Sequence, residues 1–161
     1  MDIEGIPHVA ADRPQPNLSP NGRTDEAEQR VILVIDDDME VLNSIRRTLI
    51  REGWVVLTAS DPAEGLQSYA AHWQQINLVL LDYFMPGLRG DEVLKRLQHI
   101  NPPVRVLLMT ASDDYVPPRM LNGGLCGFVQ KPATRKELIR RIHEALNHHA
   151  ATGPAPDGQS A

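Results

Sequence analysis

The chain has 161 residues, of which 42% are hydrophobic and 23% charged, proportions typical of a globular protein. This length supports one domain with a buried core but not two ordinary domains, and no apolar run approaches the roughly 18 residues that span a membrane. The net charge of −5 lies outside residues 30–149, where acidic and basic residues are equal in number. We therefore expect no domain-wide basic surface for nucleic acid and no membrane insertion. A single cysteine, Cys126, and the lack of a secretory signal pattern predict a soluble cytoplasmic protein.

Both ends of the chain differ in composition from the middle. Residues 1–29 contain four prolines and six acidic residues and show little hydrophobic periodicity, and residues 150–161 read AATGPAPDGQSA. Segments of this kind cannot bury enough apolar surface to offset the entropy of ordering. We therefore predict disordered tails over 1–29 and 150–161, with one folded domain over 30–149.

The first half of the domain alternates between strand and helix patterns. Residues 30–35 (RVILVI) form an apolar run, and residues 38–53 carry apolar side chains at helical spacing and end in Gly53, which suits a C-terminal cap. Residues 54–59 (WVVLTA) are strand-like. Residues 61–72 begin with Asp-Pro-Ala-Glu, which predicts a capped helix start.

The second half continues the same alternation. Residues 76–81 (INLVLL) predict a strand and residues 91–100 a short helix. Two further strands are predicted over 104–109 (VRVLLM) and 125–130 (LCGFVQ). A last helix is predicted over 134–149, opening with a Thr-x-x-Glu capping box.

The strands are apolar throughout rather than alternating, which indicates burial on both faces. Strands that alternate with helices form parallel sheets through right-handed crossovers. The predicted fold is therefore an α/β protein, with a doubly wound, five-stranded parallel sheet flanked by helices.

Charged and polar residues follow several of these strands. Asp36, Asp37 and Asp38 follow the first strand, Asp82 the third, Thr110 the fourth and Lys131 the fifth. In a parallel sheet all these ends lie at one edge, where ligands bind. Neighbouring carboxylates require a cation or raised pKa values, and oxygen ligands suit Mg²⁺. An aspartate nucleophile with Mg²⁺, a lysine and a threonine forms a set suited to phosphoryl transfer.

Not every aspartate in this set needs a chemical role. An Asp that follows a strand is often a turn former or a helix N-cap, and Asp38 fits that interpretation. Asp36, Asp37 and Asp82 form a more specific combination when taken with the threonine and the lysine.

The sequence resembles the receiver domain of two-component response regulators. The matching stretches are ILVIDDD (32–38), LVLLDYFMPGLRGDEVLKRL (78–97), VRVLLMTA (104–111) and GFVQKP (127–132). The resemblance covers residues 30–149 and implies a flavodoxin-like strand order of 2-1-3-4-5.

The resemblance implies a role for each matching carboxylate. Asp82 would be the phosphoacceptor, receiving a phosphoryl group from the phosphohistidine of a sensor histidine kinase. Asp37, Asp82 and the backbone carbonyl of Phe84 would bind Mg²⁺, for which Mn²⁺ could substitute, and Asp36 would act on the metal through water.

The resemblance also implies the roles of the remaining site residues. Thr110 would hydrogen-bond the phosphoryl group and Lys131 would pair with it. Phe128 would be the aromatic switch residue, moving inward when Thr110 is recruited. Lys131–Pro132 matches a peptide bond that is usually cis in this family.

Two short segments affect these expectations. Pro86 and Gly87 suit a tight turn after the phosphoacceptor, and Gly90 is expected to allow a positive φ before the next helix.

Phe84 is large enough to shield a phosphoryl group on Asp82 from water, so we hypothesise slow self-dephosphorylation.

The resemblance implies a regular fourth helix, but Pro117 and Pro118 interrupt the corresponding stretch, residues 113–123. Proline is tolerated only in the first turn of a helix, and the residue before it avoids helical angles. We predict that this fourth helix is short, displaced or absent, which would alter the signalling surface.

The leading functional hypothesis is a stand-alone receiver that catalyses only its own phosphorylation and dephosphorylation. It would signal by contact with a downstream protein, and a phosphorylation-dependent dimer is one form of that contact. One alternative is a phosphorelay intermediate that passes phosphate to a histidine phosphotransfer protein. Another is a phosphohydrolase of the haloacid dehalogenase type, with Asp36 as nucleophile and Asp38 as acid. A third is a degenerate receiver that never accepts phosphate.

Overall fold

The computed structural model of the protein describes residues 29–111, 120 and 124–147. The elements within them are β1 (Val31–Ile35), α1 (Met39–Arg51), β2 (Val55–Ala59), α2 (Pro62–His72), β3 (Ile76–Asp82), α3 (Gly90–Ile100), β4 (Val106–Ala111), β5 (Leu125–Lys131) and α4 (Arg135–Asn147). The predicted tails lie outside the described residues, apart from Gln29. The predicted irregular helix over 113–123 also lies outside them, apart from Met120, which is buried.

The five strands form one parallel sheet in the order β2-β1-β3-β4-β5. This confirms the predicted doubly wound fold and its strand order. β1 lies at the centre of the first three strands, with Ile35 beside Ala59 of β2 and Leu81 of β3. The carboxyl ends of β1 and β3 therefore lie next to each other, and the order of strands along the chain reverses at β1.

Each face of the sheet has its own apolar core. Leu33 and Ile35 of β1 pack towards α2 and α3, and Ile32 and Val34 pack towards α1 and α4. All four side chains are fully buried. Because successive side chains of a strand point to opposite faces, a strand buried on both faces must be apolar at every position.

Helix α1 ends in a motif that the sequence predicted from Gly53. The Gly53 amide donates to the Ile50 carbonyl at 3.0 Å, and the Trp54 amide donates to the Leu49 carbonyl at 3.2 Å. Gly53 has a φ of +84°, and Trp54 and Leu49 belong to the same apolar cluster. This is a Schellman cap, which satisfies carbonyl groups at the helix end and turns the chain into β2.

The prediction for Gly90 was wrong, because it is not among the glycines with positive φ and instead forms the first residue of α3. Glycine is required at this position for a different reason. A Cβ atom at this position would lie 3.0 Å from the Cα of Tyr83, and the Gly90 amide donates to the Tyr83 carbonyl at 2.9 Å. Gly90 thus allows α3 to begin against the end of β3, while the predicted turn is made at Gly87, with a φ of +93°.

None of the helices in the described part of the chain is both long enough and apolar enough to cross a membrane.

Replacing Gly53 with alanine should lower the free energy of unfolding by about 1 kcal/mol, because a left-handed conformation costs roughly that much for a residue with a Cβ atom. The space around the position is open, so the cost arises from the backbone and not from a clash. Gly53→Asn should cost less, since asparagine tolerates this conformation. Urea denaturation of the two variants would measure the difference, and equal losses would contradict this account.

Candidate functional site

Three carboxylates from two neighbouring strand ends converge at the carboxyl edge of the sheet. Asp36 and Asp37 follow β1, and Asp82 ends β3. One oxygen of each lies within 4.8 Å of the others. Asp36 is fully buried, Asp82 is 7% exposed and Asp37 faces solvent. The predicted convergence of these three residues is therefore present in the structure.

Asp38 has a different role from its two neighbours. Its side chain accepts hydrogen bonds from the amides of Glu40 at 2.9 Å and Val41 at 3.2 Å, so it is the N-cap of α1. These amides belong to the first turn of the helix, where they have no partner within the helix. The third aspartate of the run thus starts the helix, as the simpler interpretation of Asp38 predicted.

Lys131 connects the carboxylates of two different strands. Its Nζ donates to Asp36 Oδ2 at 2.6 Å and lies 3.2 Å from Asp82 Oδ1. The other oxygen of Asp36 accepts from the backbone amide of Asp38 at 2.9 Å. Both oxygens of this buried carboxylate are therefore engaged, which offsets the cost of removing its charge from water.

The electrostatic environment of Asp82 disfavours its ionised form. Its pKa is raised from 3.8 to about 6, chiefly by burial and also by the negative charges of Asp36 and Asp37, against the opposing attraction of Lys131. Burial by itself would lower the pKa of Lys131, but its bond to Asp36 and the charge of Asp82 raise that pKa overall. The site thus brings three acidic groups together with one firmly charged ammonium group.

This donor set fits a hard divalent cation. Carboxylate oxygens within 4.8 Å of one another can share one ion, and Mg²⁺ prefers a few carboxylates together with water. The solvent-facing Asp37 and the mutual repulsion at Asp82 both suit such an ion, because a cation would replace like-charge repulsion by attraction. Asp36 is held by Lys131 and by a backbone amide, so its influence on the ion is expected to be indirect.

The other predicted residues lie on the two strands that complete this edge. Thr110 is 8% exposed near the carboxyl end of β4, where the next residue, Ala111, lies beside Lys131 of β5. Phe128 lies beside Leu108 and is half-buried against the core that faces α2 and α3. The predicted cis peptide bond between Lys131 and Pro132 is present.

Phe84 lies just beyond β3 with its side chain 53% exposed. Its ring packs edge-on against Tyr83, with the ring centroids 4.8 Å apart. The expected metal bond of its backbone carbonyl and the expected shielding of Asp82 by its ring both remain predictions.

The sequence did not reveal the bond between Asp36 and Lys131, which are 95 residues apart. It placed Asp36 near a metal and Lys131 near a phosphoryl group. The available signal was that both residues end buried strands at the same edge, but the sequence alone does not fix the distance between two strand ends. In the structure the lysine pairs with carboxylates of the site itself.

Comparison with known families and curated proteins gives consistent matches. The family model described as the response regulator receiver domain matches residues 32–143. The uncharacterized transcriptional regulatory protein YkoG of Bacillus subtilis is 36% identical over 124 residues, which are 76% of this chain and 53% of that protein. The response regulator MprA of Mycobacterium avium is 34% identical over 131 residues, which are 80% of this chain and 55% of that protein. The chain thus spans about half the length of these curated relatives.

Solved structures give the same result. A response regulator receiver domain protein from Clostridium thermocellum has a TM-score of 0.69 and 33% identity, and the match covers 73% of this chain and 94% of that one. A CheY-like receiver domain protein from Methanospirillum hungatei has a TM-score of 0.63 and 29% identity, with coverage of 73% and 93%. The described part of the chain therefore matches nearly the whole of two receiver domains.

Asp82→Asn should stabilise the metal-free protein near pH 7.5 by about 1–2 kcal/mol, after allowance for solvent screening. The folded state holds the pKa of Asp82 near 6, against 3.8 for an ordinary aspartate. The penalty for ionising Asp82 is therefore absent below about pH 4, grows between these two values and is complete above about pH 6. Urea unfolding in the presence of a chelator across this range would measure the gain.

Asp38→Asn is the matched control, because asparagine also caps helices and Asp38 does not contact Lys131 in the described structure. The free energy of unfolding of this variant should show no increase that grows with pH between about 4 and 6. A loss of stability for Asp82→Asn at pH 7.5 would contradict the prediction, since it would mean that the attraction of Lys131 outweighs burial and repulsion at Asp82.

Proposed function

Since the chain belongs to the receiver-domain family of two-component response regulators, we propose that Asp82 accepts a phosphoryl group from the phosphohistidine of a sensor histidine kinase. The observation that carries this proposal is the position of the Asp82 carboxylate. It lies beside Asp36 and Asp37 on one side and 3.2 Å from the ammonium group of Lys131 on the other. A nucleophile placed between a cation-binding group and a fixed positive charge suits attack on an anionic phosphoryl group.

In the proposed step, an oxygen of Asp82 forms a bond to phosphorus while the bond from phosphorus to the histidine nitrogen breaks. The electron pair of the broken bond stays on the imidazole. Mg²⁺, held by Asp37 and Asp82 with the carbonyl of Phe84, would supply positive charge to the phosphoryl oxygens when bound. Lys131 would move part of its pairing from the carboxylates to these oxygens, and the Thr110 hydroxyl would donate to one of them.

The proposed output is a change in protein contacts. Thr110 lies on β4 and Phe128 on the adjacent β5, so a shift of the threonine towards Asp82 would open space for the aromatic ring. The half-buried state of Phe128 is compatible with two positions of similar energy. Phosphorylation would then favour one of two surfaces that partner proteins distinguish.

We propose that the chain acts by itself as a receiver in the cytoplasm, catalyses only its own phosphorylation and dephosphorylation, and binds a downstream protein rather than nucleic acid. Transfer of the phosphoryl group to a histidine phosphotransfer protein is the second candidate. Several curated relatives have names that describe transcriptional regulators, and this chain matches about half of their length. A role in transcription would therefore depend on segments beyond the matched region.

Two observations weigh against the phosphohydrolase alternative. Asp36 would have to be the nucleophile, but it is fully buried and both of its oxygens are engaged. Asp38 would have to be the acid, but its side chain caps α1. Neither carboxylate is placed to meet a substrate, whereas Asp82 lies at the edge of the sheet beside the solvent-facing Asp37.

Incubation with phosphoramidate or acetyl phosphate and Mg²⁺ should add one phosphoryl group to the protein, as measured by intact mass. The gain should disappear in Asp82→Asn and in the presence of a chelator. Asp38→Asn should keep the gain, because asparagine preserves the helix cap and leaves the three site carboxylates in place. A gain that survives Asp82→Asn but is lost in Asp36→Asn would favour the alternative nucleophile and sink the proposal.

Phe84→Ala should accelerate the loss of phosphate from the phosphorylated protein by about threefold or more, because removing the ring opens Asp82 to water. The side chain is 53% exposed, so the substitution should leave the urea midpoint nearly unchanged. Decay of the phosphorylated species can be followed by intact mass after removal of the small-molecule donor. An unchanged decay rate in a stable variant would show that the ring does not shield the phosphoryl group.

A further inference from the structure

A groove separates α1 from α4 on one face of the sheet. It encloses a cavity of about 900 Å³ that is open to solvent along one side. Val41 and Ile45 of α1 line one wall, Leu138 of α4 lines the other, and Met109 and Val129 of the sheet form part of the floor. One end of the groove is formed by Lys131 and the loop that follows it. The groove is thus a largely apolar channel leading towards the phosphorylation site.

The α1 side of this groove carries both charges, with the acidic Glu40 near the amino end of the helix and basic residues towards its carboxyl end. Arg47 lines the groove, and Arg51 lies one helical turn further along the same face of α1. Both side chains are exposed, and neither forms an ion pair within residues 29–111, 120 and 124–147. Arg135 on the opposite side is paired with Glu52. Arg47 in the groove and Arg51 one turn beyond it therefore remain available to an acidic partner.

The chain itself contains a segment of complementary charge. Residues 1–28 contain six acidic residues and two basic ones, whereas residues 30–149 have no net charge. Three of the acidic residues, Asp25, Glu26 and Glu28, immediately precede the described domain. The N-terminal segment is therefore the part of this chain with a clear excess of the charge that complements the two arginines.

The N-terminal segment joins the domain at the amino end of β1, close to one end of the groove. The Arg30 carbonyl accepts from the Val55 amide at the amino end of β1. Because α1 connects two parallel strands, its carboxyl end, which carries Arg51, also lies at that end of the sheet. The groove runs along α1 from that end, and it is short because a helix rises only about 1.5 Å per residue. An extended chain of 28 residues reaches up to roughly 90 Å, so the N-terminal segment is long enough to follow the groove.

We propose that residues 1–28 occupy the groove between α1 and α4 of the same chain, with their acidic residues against Arg47 and Arg51. The apolar side chains of this segment, including Leu18, would cover Val41 and Ile45. The inference does not depend on whether Asp82 accepts a phosphoryl group, because it concerns only the position of the segment.

The test uses the full chain with a nitroxide label in the N-terminal segment. Ser19→Cys is introduced into a Cys126→Ser background, so that the label has one attachment site, and the protein is enriched in ¹⁵N. We expect the backbone amide signals of Asn43–Thr48 in α1 and of residues 135–138 in α4 to lose about half of their intensity or more. Signals of α2 and α3, on the opposite face, should remain. In about 0.5 M salt, where the screening length falls to roughly 4 Å, the selective loss should weaken.

Two charge variants distinguish binding of the segment in the groove from nonspecific attraction to the surface of the domain. The double variant Arg47→Glu and Arg51→Glu should abolish the selective intensity loss. Arg46→Glu makes the same change at an exposed position of α1 that does not line the groove, so it should leave the loss in place. Loss of intensity spread evenly over all helices, or loss that persists in the double variant, would overturn the inference.

A mixed sample identifies the chain that supplies the segment. Labelled protein without ¹⁵N is added to ¹⁵N-enriched protein without the label, at equal concentrations. We expect no selective loss in this mixture, because the segment acts within its own chain at a high effective concentration. Selective loss at the groove in the mixture would place the segment of one copy on another and would overturn the proposal of an intramolecular contact.

Discussion

The ammonium group of Lys131 lies between two carboxylates that the sheet brings to a single edge. This bridge limits the cost of placing Asp36, Asp37 and Asp82 within 4.8 Å of one another. Without it, a fully buried Asp36 would carry an unpaired charge, which proteins avoid because desolvation costs several kcal/mol. The bridge also joins the end of β5 to the ends of β1 and β3, so the electrostatics of the site depend on the whole sheet.

The bridge leaves the repulsion at Asp82 only partly offset, since burial and the two neighbouring carboxylates still hold the pKa of this residue near 6. A site of this kind is stabilised by any ligand that adds positive charge or forms an ion pair with Lys131. Mg²⁺ would do the first and a phosphoryl group would do the second. The same imbalance that destabilises the metal-free state thus makes the site responsive to its proposed ligands.

Helix α1 links this site to the groove on the α1–α4 face. Its first turn is capped by Asp38, whose backbone amide also holds Asp36, and its last turn carries Arg51 before the Gly53 cap. One helix therefore has the carboxylate site at its amino end and basic side chains towards its carboxyl end. A partner or chain segment bound along the whole of α1 would therefore contact both regions.

The sequence alone determined the layers of the fold and the order of its elements. Strands such as VILVI, apolar at each position, require burial on both faces, and alternation with helices then requires a parallel sheet. This reasoning also placed Asp36, Asp82, Thr110 and Lys131 at one edge, because parallel strands share that edge. Local rules likewise identified the caps at Asp38 and Gly53, since capping depends on neighbours only a few residues away.

Tertiary structure decided what depends on distances between segments remote in the chain. The 2.6 Å bond from Lys131 to Asp36 spans 95 residues, and no local rule predicts it. Gly90 was assigned a positive φ from its place in a loop, but its real constraint is the close approach of Tyr83 across the turn. The groove between α1 and α4 has no counterpart in the sequence, because it is the space left between two helices that pack on the same face of one sheet. Composition and periodicity record what each segment buries, while only the folded chain fixes which segments meet and how closely.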